Sequence, residues 1–255
     1  MPNAVICADR GWQMRDTSYE NMHSRHETYP TKTPKIMILT KKKMSSKEKE
    51  KVDNAARKKI GKQYGFKQSS YCNWIVKNGY FFYIIHGTFT KDADLYVKPY
   101  YYDSILWDVM GERYPDSHRA IGGFNANDFN LSRNDVPLEK DDDFTEQNCE
   151  KVWNETFKMI MLQIETFLSK NPDVDLFTFE NNDTIKTPHN TNLIMMLQMM
   201  YKQKYNDVLK LATSLIENGE KGSQGWIMPD GHTKWIYEFI IDYCLTKKFS
   251  NPVHT

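Results

Sequence analysis

A dense run of apolar residues in the first half of the chain predicts a small antiparallel sheet. The segments 71–77 and 79–89 are rich in β-branched and aromatic side chains, which favour strands. Asn78-Gly79 between them readily adopts the positive φ angles of a tight hairpin. A third strand is predicted over 95–102, so the pattern indicates a three-stranded meander. The strand-like segment 174–179 offers a fourth strand at one edge.

Apolar residues at helical spacing predict one helix before this sheet and several after it. A stripe containing Val52 and Ile60 lies on a serine-capped helix over 46–62. A short helix follows the third strand and ends at Gly111. Asp143 and the acid three residues later have the spacing of a helix capping box. Later helices are predicted over 144–169, 187–202, 207–218 and 235–245.

The middle strand is apolar on both faces. Successive side chains of a strand point to opposite sides, so Tyr80 and Phe82 share one face while Phe81 and Tyr83 share the other. Because both faces need cover, we expect the first helix on one face and a later helix on the other. The predicted fold class is α+β, an antiparallel meander packed with helices and followed by a mostly α-helical C-terminal half.

The chain divides by composition into three parts. Residues 1–43 show neither a helical nor a strand period, so we expect a disordered extension, which is also compatible with an over-long gene start before Met44. Residues 44–143 contain the meander and, over 112–143, a long polar connection with a short extended piece near 121–129. Residues 144–255 form a helical region that we expect to pack on the same core.

The composition limits the classes of protein to which this chain can belong. A hydrophobic content of 40% is enough for a sizeable core, and a net charge of +1 gives no global field for nucleic acid or membranes. The four cysteines lie far apart and form no CxxC motif. The longest apolar run, residues 80–85, is too short to span a bilayer. We therefore expect a cytoplasmic protein with reduced, buried thiols.

Two segments are similar to known families. The order of helix, Gly65-Phe66 and three strands over residues 52–102 resembles a bacterial family of small α+β domains of unknown function, catalogued under the number 4304. That resemblance implies a bacterial protein and carries no activity. The segment 193–219 resembles one tetratricopeptide-type helical hairpin in its turn and apolar spacing. It has no partner repeat, and a solenoid needs several stacked units.

Few residues suggest catalysis. His86 follows the face of Tyr80 and Phe82, where an imidazole needs a hydrogen bond or becomes an acid–base candidate. His23 and His26 form an HxxH pair without a fixed third ligand. No catalytic set, cofactor motif or metal site is predicted, and the chain is more simply read as a non-enzyme.

Three functions fit these features. The favoured one is a non-catalytic protein–protein interaction module, with candidate contact residues Met195, Met199, Trp226 and His232. The alternative is nucleic-acid binding, because residues 41–67 carry a charge of +8 from eleven basic and three acidic residues. Its candidate phosphate contacts are Lys58, Lys59 and Lys62, with Tyr100 or Tyr102 of the sheet stacking on bases. The third is a hydrolase or transferase that uses His86.

Overall fold

The computed structural model describes residues 43–68, 72–86, 92–111, 129–179, 190–222 and 225–250. The extension expected over 1–43 lies outside these ranges except for its last residue. His23, His26, His118 and His189 also lie outside them. All of the described residues belong to one compact unit that begins at Lys43.

The main sheet is an antiparallel meander of five strands, which confirms the predicted architecture and extends it by two strands. The strands are β1 (Lys67–Gln68), β2 (Cys72–Lys77), β3 (Tyr80–His86), β4 (Asp92–Pro99) and β5 (Phe129–Asp135), in that spatial order. The third predicted strand therefore ends earlier than expected, because the chain enters a helix at Tyr101.

The segment predicted as a fourth strand, residues 174–179, does not join the sheet. Val174–Leu176 forms a turn of 3-10 helix, and Phe177 and Phe179 pack their rings against Phe129 instead of extending the sheet. The edge position is taken by β5, which begins where the short extended piece near 121–129 was expected to end. The apolar alternation of 174–179 thus reflects burial of rings against β5, not strand pairing.

The hairpin between β2 and β3 forms as its sequence predicts. Asn78 and Gly79 have φ angles of 49° and 76°, the positive values that a two-residue hairpin loop of this type requires. Lys77 pairs with Tyr80 across the turn, and this register continues to Cys72 opposite Ile85.

The described residues contain six α-helices. They are α1 (Ser46–Gln63), α2 (Tyr101–Val109), α3 (Glu146–Lys170), α4 (Thr191–Tyr201), α5 (Tyr205–Glu217) and α6 (Ile236–Ser250). Ser45 caps α1 in a full capping box with Glu48. The predicted start of α4 near residue 187 lies outside the described residues.

Asp143 does not cap α3 as its spacing predicted. The cap is Thr145, whose side chain accepts a hydrogen bond from the backbone N–H of Asn148 at 3.2 Å. Asp143 instead ends a 3-10 turn (Asp141–Asp143) and accepts hydrogen bonds from the backbone N–H groups of Lys140 and Glu139. These two donors lower the pKa of Asp143 from its ordinary value.

Helices α1 and α3 both lie on the face of Tyr80 and Phe82, so the cover expected from the first helix is present on that face. The rings of Tyr80 and Phe82 both pack edge-on against Phe167 of α3. Ala56 and Ile60 of α1 are buried in the same apolar cluster, which also includes residues of α2, α4, α5 and α6. One core therefore joins the sheet to the C-terminal helices.

The opposite face of the sheet holds a separate aromatic cluster. Trp74, Phe81 and Tyr83 are buried there, and among the described residues this cluster contains only strand residues and Tyr100. Lys98 is buried beneath Phe81 and donates to Asp103 at 2.8 Å, with both side chains almost fully inaccessible to solvent. The sequence predicted that this face is apolar, but it did not predict the ion pair within it.

Gly79 provides a test of the hairpin, with Gly111 as a matched control. Both residues have positive φ, so replacing either with alanine should lower the free energy of unfolding by about 1 kcal/mol. A Cβ at Gly79 would also lie 2.6 Å from Cγ1 of Val174, whereas a Cβ at Gly111 meets nothing within 4 Å. In urea denaturation we expect Gly79→Ala to be clearly the more destabilising. Equal losses would contradict the close packing of Val174 on the turn.

Candidate functional site

A second, two-stranded sheet presents the segment that contains Trp226 and His232. Its strands are β6 (Gly225–Ile227) and β7 (Thr233–Trp235), which pair antiparallel. The backbone N–H of Met228 donates to the carbonyl of His232 at 2.8 Å, and Gly231 has a φ of 86°. Pro229, Asp230 and Gly231 form the tight connection between Met228 and His232. In a loop of three residues, a glycine in the left-handed region is typical.

The register of this hairpin decides which side chains face the protein. Trp226 pairs with Lys234, and both approach the ring of Phe239 on α6, with a centroid distance of 5.5 Å for the indole and 4.5 Å for Lys234 Nζ. Ile227 pairs with Thr233 on the other side of the hairpin. Because side chains alternate along a strand, Ile227 points to solvent and is 81% exposed.

A shallow cavity of about 370 Å³ lies between the hairpin and α6. It is lined by two apolar side chains, Met228 and Ile241, and by four polar ones, His232, Lys234, Glu238 and Asp242. Lys234 also forms an ion pair with Asp242, and Glu238 accepts a hydrogen bond from the backbone N–H of Trp235 at 2.6 Å. The hairpin is therefore tied to α6 at several points along its length.

The candidate methionines are not part of this cavity. Met195 and Met199 are half-buried on α4 and pack against the main core, while Met196 and Met200 on the same helix are buried. Neither Met195 nor Met199 lines the cavity beside the hairpin. The four predicted contact residues therefore fall in two separate places, with Met195 and Met199 one turn apart on α4 and with Trp226 and His232 in the hairpin.

His86 is buried among packed side chains. Its ring lies edge-on to Trp153 at a centroid distance of 4.9 Å, and Nδ1 is 3.0 Å from the backbone carbonyl of Asp92. Because a carbonyl oxygen only accepts, Nδ1 carries a proton in this contact. Nε2 then faces Oδ2 of Asp53 at 3.5 Å. A carboxylate is therefore close to the imidazole, although neither of the two described cavities includes His86.

Asp53 and Arg57 extend this polar cluster along α1. Trp153 Nε1 donates to Asp53 Oδ1 at 2.7 Å, and Arg57 Nη2 donates to Asn54 Oδ1 at 2.6 Å. Nε and Nη1 of Arg57 are buried and have no acceptor among the described residues. Burial lowers the pKa of Arg57, and the nearby Asp53 carboxylate opposes that shift. Sequence periodicity gave no signal for these charges inside the core.

The cysteines of the described region are free and buried thiols. Burial raises the pKa of Cys149 to about 11 and that of Cys244 to about 12. Because the thiolate is the nucleophilic form, these two side chains are in their unreactive form at neutral pH. Cys149 lies near the His86 cluster, since its pKa also responds to Asp53.

The proposed phosphate contacts lie on the exposed side of α1, but their surroundings are partly acidic. Lys58 and Lys62 are exposed, whereas Lys59 forms ion pairs with Glu150 at 2.6 Å and Glu146 at 3.9 Å. The pairing with Glu150 raises the pKa of Lys59. Part of the basic surface of α1 is therefore neutralised by α3.

The two tyrosines proposed to stack on bases are not strand residues. Tyr100 lies between β4 and α2, stacked on Phe81 at 6.1 Å. Tyr102 lies within α2, is fully buried and accepts a hydrogen bond from Gln198 Nε2 at 3.0 Å. This corrects their assignment to the sheet, because the third strand ends at Pro99.

Metal binding and membrane insertion gain no support from the part of the chain that the structure describes. In that part, no three His, Cys, Asp or Glu side chains are grouped so that they could hold a metal ion. None of its helices combines the length and apolar character needed to span a bilayer.

Comparison with known proteins finds no matching family model, no matching curated protein and no matching solved structure. The resemblances of residues 52–102 and 193–219 therefore depend on their sequence patterns alone. What is established about the chain is its α+β architecture.

The cluster around Asp53 can be tested by an isosteric substitution. Asp53→Asn keeps an acceptor for Trp153 but removes the carboxylate near Arg57 and His86. The substitution leaves the buried Arg57 without its nearby countercharge, and an uncompensated buried charge costs about 3–5 kcal/mol, so we expect a loss of about 3 kcal/mol in the free energy of unfolding. Glu50→Gln, at an exposed position of the same helix, should change it little. Similar losses of unfolding free energy in the two variants would show that the Asp53 carboxylate does not stabilise Arg57 or His86.

The hairpin loop should respond to acid through Asp230. Its side chain accepts hydrogen bonds from the backbone N–H and from Nδ1 of His232, and these lower the pKa of Asp230. A depressed folded-state pKa adds stability above the unfolded-state value of about 3.9 and loses it as pH falls through the folded value. We expect the His232 amide resonance to shift with a midpoint below about 3.9, and to lose this transition in Asp230→Asn. A midpoint at or above that value would contradict the loop geometry.

Proposed function

We propose that this chain acts by binding another protein, with the β6–β7 hairpin at the centre of the contact surface. The observation that carries the proposal is Ile227, a β-branched apolar side chain that is 81% exposed at a position fixed by strand register. A single exposed apolar residue is common on protein surfaces. Its neighbour Met228 lines the cavity beside the hairpin together with Ile241, whereas Ile227 lies on the opposite face of the hairpin and is not part of that lining.

The polar side chains of the hairpin and of α6 suit a protein partner. Interfaces typically combine an apolar centre with a polar rim. Lys234, Glu238, Asp242 and His232 supply such a rim around the cavity. Charges of both signs at the rim favour a partner with a complementary pattern and contribute to its selection.

The hairpin is also held in place before a partner arrives. Trp226 packs on Phe239, Lys234 is paired with Asp242, and the backbone of Trp235 is bonded to Glu238. A preorganised surface loses less conformational entropy on binding. A specific interface needs roughly 800 Å² from each partner, so we expect the contact to extend from the hairpin onto α6.

The proposal is tested by capture from the native host with a matched pair of variants. Ile227→Ser removes the exposed side chain at the hairpin, and Leu176→Ser removes one that is 76% exposed elsewhere on the chain. Immobilised wild type and Leu176→Ser should enrich the same protein in quantitative mass spectrometry. Ile227→Ser should reduce its capture about fivefold or more, because truncation of a central contact residue costs over about 1 kcal/mol.

The captured protein is then purified and titrated against the three forms. The affinity should follow the same order, weakest for Ile227→Ser. The proposal fails if no protein exceeds background, or if the partner binds wild type and Ile227→Ser equally. Circular dichroism of each variant separates a lost contact from a lost fold.

A further inference from the structure

A groove separate from the hairpin lies between β5 and α3. It is open to solvent and has a volume of about 510 Å³. The residues that matter for its chemistry are Arg133, Asn134 and Asp135 of β5 and Val152, Glu155 and Met159 of α3. Gln163 of α3 bonds to Asn134 at 2.8 Å and to Ser132 at 2.6 Å, which fixes the helix against the strand.

The strand that forms one wall is at the edge of the sheet. Among the described residues β5 pairs only with β4. An edge strand presents backbone N–H and C=O groups with which another chain can pair. Ser132 lies opposite Leu95 and Asn130 opposite Tyr96, so Leu131 is the extra residue of a bulge. The regular part of the edge is therefore 132–135, the part that borders the groove.

The helix that forms the other wall has an exposed apolar flank. The core-facing stripe of α3 includes Trp153 and Ile160 and is fully buried. Val152 and Met159 lie on a neighbouring stripe, and Met159 is 52% exposed beside the groove. This wall offers an apolar surface to side chains that enter from the sheet edge.

The charge of the groove favours a basic ligand. Arg133 forms an ion pair with Asp94 at 2.9 Å, so the positive charge of Arg133 is neutralised within the protein. Asp135 and Glu155 are both exposed and form no ion pair with any of the described residues. Lys151 is the remaining cation of the lining. Two carboxylates against one ammonium leave one excess negative charge at the groove.

We propose that this groove binds an extended, basic segment of a partner protein by strand addition to residues 132–135. Side chains of an added strand alternate between the two faces of the sheet. One set lies toward α3, where Val152 and Met159 favour aliphatic groups. The other set lies on the face of Asp135, where lysine or arginine is favoured. The ligand is therefore a peptide in which aliphatic and basic residues alternate.

The test uses three fluorescein-labelled, acetylated hexapeptides. The probe is Lys-Val-Lys-Val-Lys-Thr, the charge control replaces each lysine with glutamate, and the backbone control carries N-methyl groups on both valines. Fluorescence anisotropy should show binding of the probe below about 1 mM, the weak limit of specific affinity. Both controls should bind at least about tenfold more weakly, a difference of about 1.4 kcal/mol. Hydrogen exchange should slow at the amides of 132–135 when the probe is bound.

Matched variants locate the site. Asp135→Asn should weaken the probe about two- to fivefold, as expected for loss of one exposed ion pair, whereas Glu217→Gln on the exposed face of α5 should not. Met159→Ser should weaken it, whereas Leu162→Ser, which is 61% exposed on the same helix outside the groove, should not. Ile227→Ser should not change the affinity for the probe. Failure of the strand-addition proposal can therefore be distinguished from failure of the function proposed for the hairpin.

Several results would overturn the proposal. The first is no probe binding up to about 1 mM. The second is equal binding of the N-methylated control. The third is a probe affinity in Asp135→Asn and Met159→Ser equal to that of the wild type. Equal binding of the N-methylated peptide would show attraction by charge without strand pairing. Protection of amides elsewhere in the chain would place the peptide at another surface.

Discussion

Phe167 of α3 lies edge-on to both Tyr80 and Phe82 of the central strand, at ring-centroid distances of 5.1 and 5.7 Å. This contact holds the long helix across the sheet, and α1 packs beside it through Phe157, which meets Phe66 and Tyr64. Large aromatic side chains bury much area and prefer such tilted or edge-on geometries. The positions of the groove and of the C-terminal helices follow from this one packed face.

Two pairs of buried charges sit within otherwise apolar packing. Asp53 and Arg57 are both buried residues of α1, and on the opposite face Lys98 of β4 pairs with Asp103 of α2. A buried ion pair adds little net stability compared with an apolar pair, but it strongly penalises arrangements in which one partner is left alone. The Lys98–Asp103 pair therefore favours one alignment of β4 and α2 over neighbouring alignments.

Features that depend on local chemistry were predicted from the sequence. Asn78-Gly79 specifies its turn, and Ser45 specifies the start of α1, because both act within a few residues. The strand β5 was missed, since its sequence Phe129–Asp135 is mostly polar and becomes a strand through pairing with β4. The packing of α3 beside α1 was not predicted, because an apolar stripe shows that a helix is buried but not on which face of the sheet.

The candidate sites illustrate the same limit. The sequence predicted a turn around Trp226 and His232, but the exposure of Ile227 depends on which residues pair across the hairpin. His86 was correctly placed on the face of Tyr80, whereas its neighbour Asp53 comes from a helix more than thirty positions earlier in the chain. Contacts between distant segments are not encoded by periodicity within either segment.

The long stretch of chain between β4 and β5 affects the order in which the strands of the sheet pair. Ala93 and Asn134, which pair between β4 and β5, are 41 residues apart, whereas β2 and β3 are joined by a two-residue turn. Closing a long loop requires more chain entropy than closing a hairpin, and such non-local pairing slows folding. The central hairpin therefore forms early and β5 docks late. The groove beside β5 is accordingly completed only after the central hairpin has formed.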